Sequence, residues 1–293
     1  MSLVVEEIAE LTPLASSLTY LQQTSRDGTD PYLVQVLVTL TGPVDADRLR
    51  EAVMSLAARH DLLRASIQTS KHGNSLFVIA TKVDVPFEVE TCPSGGLTAA
   101  LDADLRQGMD LSHAPLWRVR LIRSTTDTTL CITVHHTIID GTSTSILLND
   151  LFLAYTGQPW PTREVPRYSD HLAFVGDVES PDRLGVWRDA LTDVSAPCLI
   201  DANTREGGFA GDRVPTGVTA ATLADVAEWS RSCGFTLRTA IDAAWALTLS
   251  STIRTDRVVF GTVVSTRKPG QAGHDLMVGP YVNMVPRVAV LDP

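Results

Sequence analysis

Apolar and polar positions follow two different periods along the chain, and together they predict a mixed α/β fold. Leu33–Leu40 is an apolar, β-branched segment between two proline-containing turns, which is typical of a strand. After Pro43, apolar residues recur at helical spacing, and Asp45 is placed to cap the helix that they predict. These apolar positions are Leu49, Val53, Leu56 and Ala57.

The rest of the chain continues this alternation. Further strands are predicted at residues 63–68, 75–80, 87–91, 129–136, 257–264 and 281–291. Further helices are predicted at residues 97–107, 142–155, 182–191, 222–233 and 237–250. We expect Thr222 to cap the helix that it opens, and Pro286 to restrict the last strand to an edge or a bulge.

Some segments also predict exposure and domain organisation. Apolar residues at 117, 119 and 121 alternate with arginines at 118 and 120, which predicts a half-exposed strand, whereas residues 257–264 predict a buried one. Residues 201–216 are polar and predict an exposed loop. Residues 158–167 are rich in proline, as linkers are. We therefore expect an N-terminal lobe at residues 1–165 and a C-terminal lobe at residues 166–293.

Composition and charge narrow the functional classes. Of 293 residues, 44% are hydrophobic and 20% are charged, which indicates a folded chain rather than a disordered one. The net charge of −10 disfavours nucleic acid as a partner. No apolar run approaches the roughly 18 residues of a membrane span, and the N-terminus is acidic where a signal peptide is basic. We expect a cytoplasmic protein with no membrane partner, no metal and no disulfide, since its four cysteines are widely spaced.

Two adjacent histidines at the end of a predicted strand are the strongest candidates for chemistry. Strand periodicity places His136 on the face of the apolar residues before it, and His135 on the opposite face. A neutral imidazole at a strand end can accept a proton from an amine or a hydroxyl, so His136 is a candidate general base. Asp140 is placed to hold the turn or orient the ring, and Gly141 allows unusual backbone angles or a close approach.

The same residues allow a second interpretation, in which the histidines are packed at a strand end before an ordinary Asp-Gly turn. A metal site of His135, His136 and Asp140 is disfavoured, because side chains on opposite faces do not easily share one ion. The residues by themselves leave the packed and the catalytic interpretations open.

The segment HHTIIDG at residues 135–141 resembles the HHxxxDG signature of the condensation domains of non-ribosomal peptide synthetases, within a larger acyltransferase superfamily. Other segments resemble further motifs of that family in the same order. They are RHDLLR at 59–64, GMDLS at 108–112, APL at 114–116, YSDH at 168–171, WR at 187–188, VVFGT at 258–262 and VGPYVN at 278–283. The resemblance runs from about residue 11 to residue 293.

The resemblance implies a chloramphenicol-acetyltransferase-like fold of two lobes and the formation of a peptide bond. A donor carrier protein presents an acyl or peptidyl thioester, and an acceptor carrier protein presents an aminoacyl thioester, both on phosphopantetheine. The chain itself would bind no cofactor, and its partners would be the two carriers and adjacent synthetase domains. The acceptor amine would attack the donor carbonyl between the lobes.

The resemblance also assigns roles to residues. His136 is implied as the functional histidine, with Asp140 structural and paired with Arg64, and Gly141 against the thioester. The catalytic group implied is His136, His135, Asp140 and Gly141. The supporting residues implied are Arg64, Tyr168, Asp170, Asn283 and Arg267.

The sequence departs from the family pattern in its first motif and at its end. Ala15, Ser16 and Ser17 replace a Gln-Glu-Gly triplet, and the family continues well past the strand at residues 281–291. We therefore expect a second lobe that is truncated at its C-terminus and is completed by a separate fragment or by a second copy.

Other functions stay open at this point. An acyl-CoA-dependent acyltransferase is disfavoured, since the DFGWG element of such enzymes is missing. An epimerisation domain shares HHxxxDG, but residues 278–283 fit the condensation pattern. A non-catalytic platform that recruits carriers or tailoring enzymes is favoured by the altered first motif and disfavoured by the intact HHxxxDG segment.

Overall fold

A computed structural model describes residues 4–24, 30–93, 95–125, 127–161, 163–176, 181–194, 198, 200, 217–267 and 273–291. The chain divides into two compact units, one formed by Met1–Asp177 with Ser265–Asn283 and the other by Val178–Val264 with Met284–Pro293. This division differs from the predicted boundary after residue 165. Tyr168 and Arg267, which the prediction assigned to the C-terminal lobe, have their partners within the first unit.

The first unit contains two sheets with helices around them. Its elements are β1 (Val5–Glu10), α1 (Pro13–Thr24), β2 (Leu33–Leu40), α2 (Ala46–Arg59), β3 (Ala65–Thr69), β4 (Ser75–Ala80), β5 (Phe87–Thr91), α3 (Leu97–Arg106), β6 (Trp117–Arg123), β7 (Thr128–His135), α4 (Gly141–Thr156) and α5 (Tyr168–Gly176). One sheet has the order β1-β4-β3 and the other the order β2-β7-β6-β5. Only the β5–β6 pair is parallel among the strand pairs described for this unit.

Local sequence signals account for several of these elements. Helix α2 begins where predicted, because the Asp45 carboxylate accepts the backbone N–H groups of Asp47 and Arg48 at 3.0 and 3.1 Å. Its predicted apolar stripe is buried. The strand predicted from residue 63 starts at Ala65 instead, after a 3-10 turn at Asp61–Arg64.

Strand β6 is buried on both faces, so the prediction of a half-exposed strand is wrong. The Arg118 guanidinium donates to Asp104 of α3 at 2.7 Å and to the Gly108 carbonyl at 2.8 Å. Arg120 donates to Glu90 at 2.8 Å. Helix α3 therefore covers this face, and acidic partners compensate the buried charge of the arginines.

The second unit contains α6 (Pro181–Ala190), α7 (Ala220–Ser232), α8 (Leu237–Ile253) and most of the strands β8 (Arg257–Ser265) and β9 (Val282–Val290). The cap of α7 is Thr219, not the predicted Thr222, because the Thr219 hydroxyl accepts the Thr222 N–H at 3.1 Å. Strands β8 and β9 form a two-stranded sheet, so β8 is only partly buried rather than a buried strand as predicted. Pro286 lies in β9, which pairs only with β8 among the described strands, as the predicted edge position requires.

The predicted loop at residues 201–216 lies outside the described residues. In the part of the chain that the structure describes, no helix is both long and apolar enough to cross a membrane.

Candidate functional site

The histidine pair lies where the central strand β7 ends. The strand stops at His135, and His136 begins a 3-10 turn at His136–Ile138, one residue earlier than predicted. The His135 N–H donates to the Leu116 carbonyl at 3.0 Å, and the His136 N–H donates to the Tyr32 carbonyl at 2.9 Å. Backbone segments on both sides of β7 therefore hold the pair.

His135 is fully buried and both of its ring nitrogens face protein groups. Nδ1 accepts the Thr137 N–H at 3.2 Å and lies 2.8 Å from the Thr137 hydroxyl. Because an N–H donor points at Nδ1, the neutral ring carries its proton on Nε2, which lies 3.4 Å from Asp30 Oδ1. No ring nitrogen of His135 is open to a substrate among the described residues, so the geometry does not favour the predicted catalytic role.

His136 is half-buried. Its Nδ1 is buried and has no hydrogen-bond partner among the described residues. A partly exposed imidazole can meet a substrate and accept a proton from it. The predicted difference between the two histidines is therefore present in their surroundings: His135 is enclosed and His136 is partly open.

Asp140 caps helix α4 and is almost completely buried, with an exposed fraction of 2%. Its Oδ1 accepts the N–H and the hydroxyl of Ser143, both at 2.7 Å, and Arg267 Nη2 at 3.1 Å. Its Oδ2 accepts the Tyr281 N–H at 3.1 Å. The carboxylate is thus surrounded by protein donors, as the implied structural role requires.

The predicted pairing of Asp140 with Arg64 is wrong. Arg64 donates to Glu6 at 2.7 Å and to main-chain carbonyls at the end of α2, among them that of Ala57 at 2.6 Å. Cationic side chains at a helix C-terminus satisfy such carbonyls, which explains its orientation. Arg267 takes the place beside Asp140, because the segment Ser265–Asn283 belongs to the first unit.

Arg267 joins this segment to the start of α4. Besides Asp140, its guanidinium donates to the Ser143 hydroxyl at 2.8 Å and to the Met277 carbonyl at 2.8 Å, and it lies 4.6 Å from the centre of the Tyr281 ring. The Ser143 hydroxyl also lies 3.0 Å from both the N and the O of Gly279. Arg267 therefore belongs to a buried network of hydrogen bonds, which fits the supporting role that was predicted for it.

The other predicted supporting residues are dispersed. Tyr168 is fully buried, and its hydroxyl accepts the Thr12 N–H and donates to the Glu10 carbonyl, both at 3.0 Å. Burial raises the pKa of Tyr168 well above its usual value, so the phenol stays protonated. Asp170 is exposed and accepts the Arg167 N–H at 2.9 Å, and Asn283 is half-buried in β9.

Gly141 is the first residue of α4 and is exposed. Its φ is not positive, so the backbone does not require glycine and the expected unusual angles are not found. Beyond the start of the helix itself, a Cβ at this position would meet no atom of the described residues within 4 Å. Open space therefore lies beside the helix N-terminus, next to Asp140.

Sequence reasoning missed Ser143, Tyr281 and His171. A capping aspartate accepts the N–H of the residue two or three positions later, so the contact of Asp140 with Ser143 could have been found. His171 lies 3.2 Å from the Thr266 hydroxyl and packs edge-on against Tyr281 at 4.5 Å between ring centres. Burial and the nearby Arg267 lower the pKa of His171 to about 4. Its ring is therefore neutral at pH 7. No local sequence pattern predicts this neutral, buried histidine.

A family model described as condensation domain matches residues 5–293. Chondramide synthase of Chondromyces crocatus is 29% identical over 279 residues, which cover 89% of this chain and 7% of that protein. Bacitracin synthase 1 of Bacillus licheniformis is 26% identical over 270 residues, which cover 87% of this chain and 5% of that protein. The chain thus spans less than a tenth of the length of these relatives.

Solved structures are similar to the chain over nearly its whole length. An X-domain in complex with OxyB from teicoplanin biosynthesis matches with a TM-score of 0.80 and 22% identity, over 100% of this chain and 67% of that chain. The condensation domain from the monacolin K polyketide synthase MokA matches with a TM-score of 0.79 and 16% identity, over 98% of this chain and 68% of that chain. These similarities confirm the predicted condensation-domain fold.

Proposed function

This chain belongs to the condensation-domain family, and from that premise we propose that it forms an amide bond between two carrier-bound thioesters. The donor is an acyl or peptidyl thioester and the acceptor an aminoacyl thioester, each on the phosphopantetheine of a carrier protein. The observation that carries the proposal is the half-buried His136, which a buried frame of His135 and Asp140 presents at the end of β7.

The acceptor amine attacks the donor carbonyl, so a C–N bond forms and the C–S bond of the donor thioester breaks. His136 takes the proton that the amine loses and returns it to the departing thiolate, which leaves as the thiol. An imidazole can accept a proton on a ring nitrogen and donate it again, so one side chain can serve both transfers. The open space at Gly141 would accommodate the thioester beside the N-terminus of α4, where backbone N–H groups favour developing negative charge.

Asp140 and Arg267 support this site without taking part in the transfers. Their hydrogen bonds join the start of α4 to the segment Ser265–Asn283. Because α4 begins five residues after His136, a displaced helix start would also displace the turn that holds the base. We propose the supporting role of Tyr168 on the same reasoning, since its hydroxyl ties α5 to the junction of β1 and α1.

The second unit exposes apolar residues on α8 that a further partner would cover. Ile241 and Trp245 lie four residues apart, on one face of the helix, and have exposed fractions of 49% and 47%. Exposed apolar side chains that lie together mark interaction surfaces. We propose that a separate protein segment or a second copy of this chain binds there. Sedimentation velocity over a range of concentrations distinguishes the two, because only a second copy makes the sedimentation coefficient rise with concentration.

The decisive experiment mixes the protein with two loaded carrier proteins and measures the extended thioester on the acceptor by mass spectrometry. We expect product with the wild-type chain and its loss in His136→Ala. Product formed equally well by His136→Ala would contradict the base role. Product formed from an acyl-CoA and a free amine, but not from carriers, would favour the acyl-CoA-dependent alternative. Binding of carriers without any product would favour the platform.

A further inference from the structure

Asp30 contacts the histidine pair from the side opposite Thr137. Its Oδ1 lies 3.4 Å from His135 Nε2 and accepts the Tyr32 N–H at 3.0 Å. The Tyr32 carbonyl in turn accepts the His136 N–H at 2.9 Å. Asp30 is therefore linked to His135 through the side chain and to His136 through the backbone of Tyr32.

A second set of contacts holds Asp30 itself. Gln22 of α1 donates through Nε2 to Asp30 Oδ2 at 3.3 Å and to the Met109 carbonyl at 3.3 Å. The Asp30 side chain is only 6% exposed. Helix α1 also packs against the turn at His136–Ile138. A hydrogen bond from Gln22, a 3.4 Å contact between the Asp30 carboxylate and the His135 ring, and a hydrogen bond to His135 Nδ1 thus connect α1 to Thr137 in that turn.

The charge of Asp30 suits this arrangement. Burial by itself would raise its pKa, but His135, the Tyr32 N–H and Gln22 outweigh burial and hold the pKa below its usual value. The carboxylate is therefore ionised at neutral pH. An ionised carboxylate 3.4 Å from Nε2 attracts the proton on that nitrogen and so favours the ring orientation in which Nδ1 accepts from Thr137.

We propose that Asp30 is a positioning residue for His136: it orients the His135 ring, which holds the 3-10 turn that carries His136. The inference rests on the proposed function for the identity of the base. It adds a residue that lies far from HHxxxDG in sequence and does not touch the reacting groups. Without Asp30, the buried Nε2 of His135 loses the carboxylate that faces it, and the turn loses a constraint.

The test measures hydrogen exchange of the His136 and Thr137 amides together with kcat and KM in Asp30→Ala, Asp30→Asn and the control Asp102→Asn. Asp102 is exposed on α3. We expect Asp30→Ala to speed exchange of both amides at least tenfold without affecting β3 and β4. We also expect kcat to fall on the order of 10- to 100-fold with little change in KM, as misplacement of a base would cause. Asp30→Asn keeps an oxygen acceptor, so its exchange rates and kcat should lie between those of Asp30→Ala and the wild type. Asp102→Asn should match the wild type in both measurements.

Unchanged exchange of both amides in Asp30→Ala would overturn the proposal, as would a kcat within twofold of an active wild type. If Asp30→Ala does not fold, the same measurements are made on Asp30→Asn. Wild-type amide exchange and wild-type kcat in Asp30→Asn would then overturn the proposal. Faster exchange in a protein whose wild type forms no amide would support the positioning of His136 and reject the proposed function. The two failures are therefore distinguishable.

Discussion

Arg267 Nη2 donates to Asp140 Oδ1 at 3.1 Å, and both side chains are buried, with exposed fractions of 7% and 1%. Arg267 lies in the segment Ser265–Asn283, which belongs to the first unit although it comes late in the chain, and Asp140 caps α4. Their contact therefore joins parts of the unit that are 127 residues apart in sequence.

Replacement of one member of this pair should destabilise the fold. Asp140→Ala removes the cap of α4 and leaves the Arg267 guanidinium buried without its carboxylate. Breaking a buried ion pair typically costs about 3–5 kcal/mol of unfolding free energy. Denaturant unfolding measures this loss, and turnover should fall with it. Arg163→Ala, which removes an exposed pair with Asp275, is the control and should leave the unfolding midpoint unchanged. An unaltered midpoint in Asp140→Ala would show that the pair does not support the fold.

His136→Ala should lower turnover without lowering stability, unlike Asp140→Ala. No described residue hydrogen-bonds to its Nδ1, and the ring is half-buried, so its removal leaves no protein group newly unpaired there. We expect an unfolding midpoint close to that of the wild type and a loss of turnover on the order of 10²- to 10⁴-fold, the usual contribution of a general base. The carrier assay and denaturant unfolding check both parts. His113→Ala, at an exposed histidine, is the matched control. A large loss of stability would indicate the packed interpretation of His136.

Gly141→Ala should separate function from stability at the start of α4. The position has space for a methyl group and an ordinary backbone, so the variant should fold with equal or higher stability, by up to about 1 kcal/mol. If the thioester lies against Gly141, the methyl group should raise KM or lower kcat at least tenfold. Gly185→Ala in α6 also has open space and should leave turnover unchanged. Full activity in Gly141→Ala would place the thioester elsewhere.

His171 should make stability depend on pH. Its folded-state pKa of about 4 lies below the ordinary value of 6.5, so between these values the unfolded chain binds more protons than the folded one. The contribution of His171 is therefore fully present above pH 6.5 and is lost as the pH falls towards 4, by about 1.4 kcal/mol for each unit of pKa difference. His171→Phe keeps a ring against Tyr281, and the difference in unfolding free energy between variant and wild type should change across this range. A constant difference would contradict a neutral buried His171.

The elements and the candidate base follow from short stretches of sequence. The cap and apolar stripe of α2, the bounds of β2, β4 and β5, and the HHxxxDG segment depend on neighbours within a few residues, so their patterns are visible without the fold. Strand alternation also predicts different surroundings for His135 and His136, which are found, although the strand ends at His135 and a 3-10 turn carries His136.

Tertiary structure alone decided which buried groups meet. Both Arg64 and Arg267 carry the charge that Asp140 requires, and no local pattern distinguishes them; the path of the chain brings Arg267 to the carboxylate and turns Arg64 towards the end of α2. The burial of β6 depends in the same way on α3 covering it and on Asp104 meeting Arg118. Periodicity reports which residues share a face, whereas the partner of a buried charge depends on contacts between residues distant in sequence.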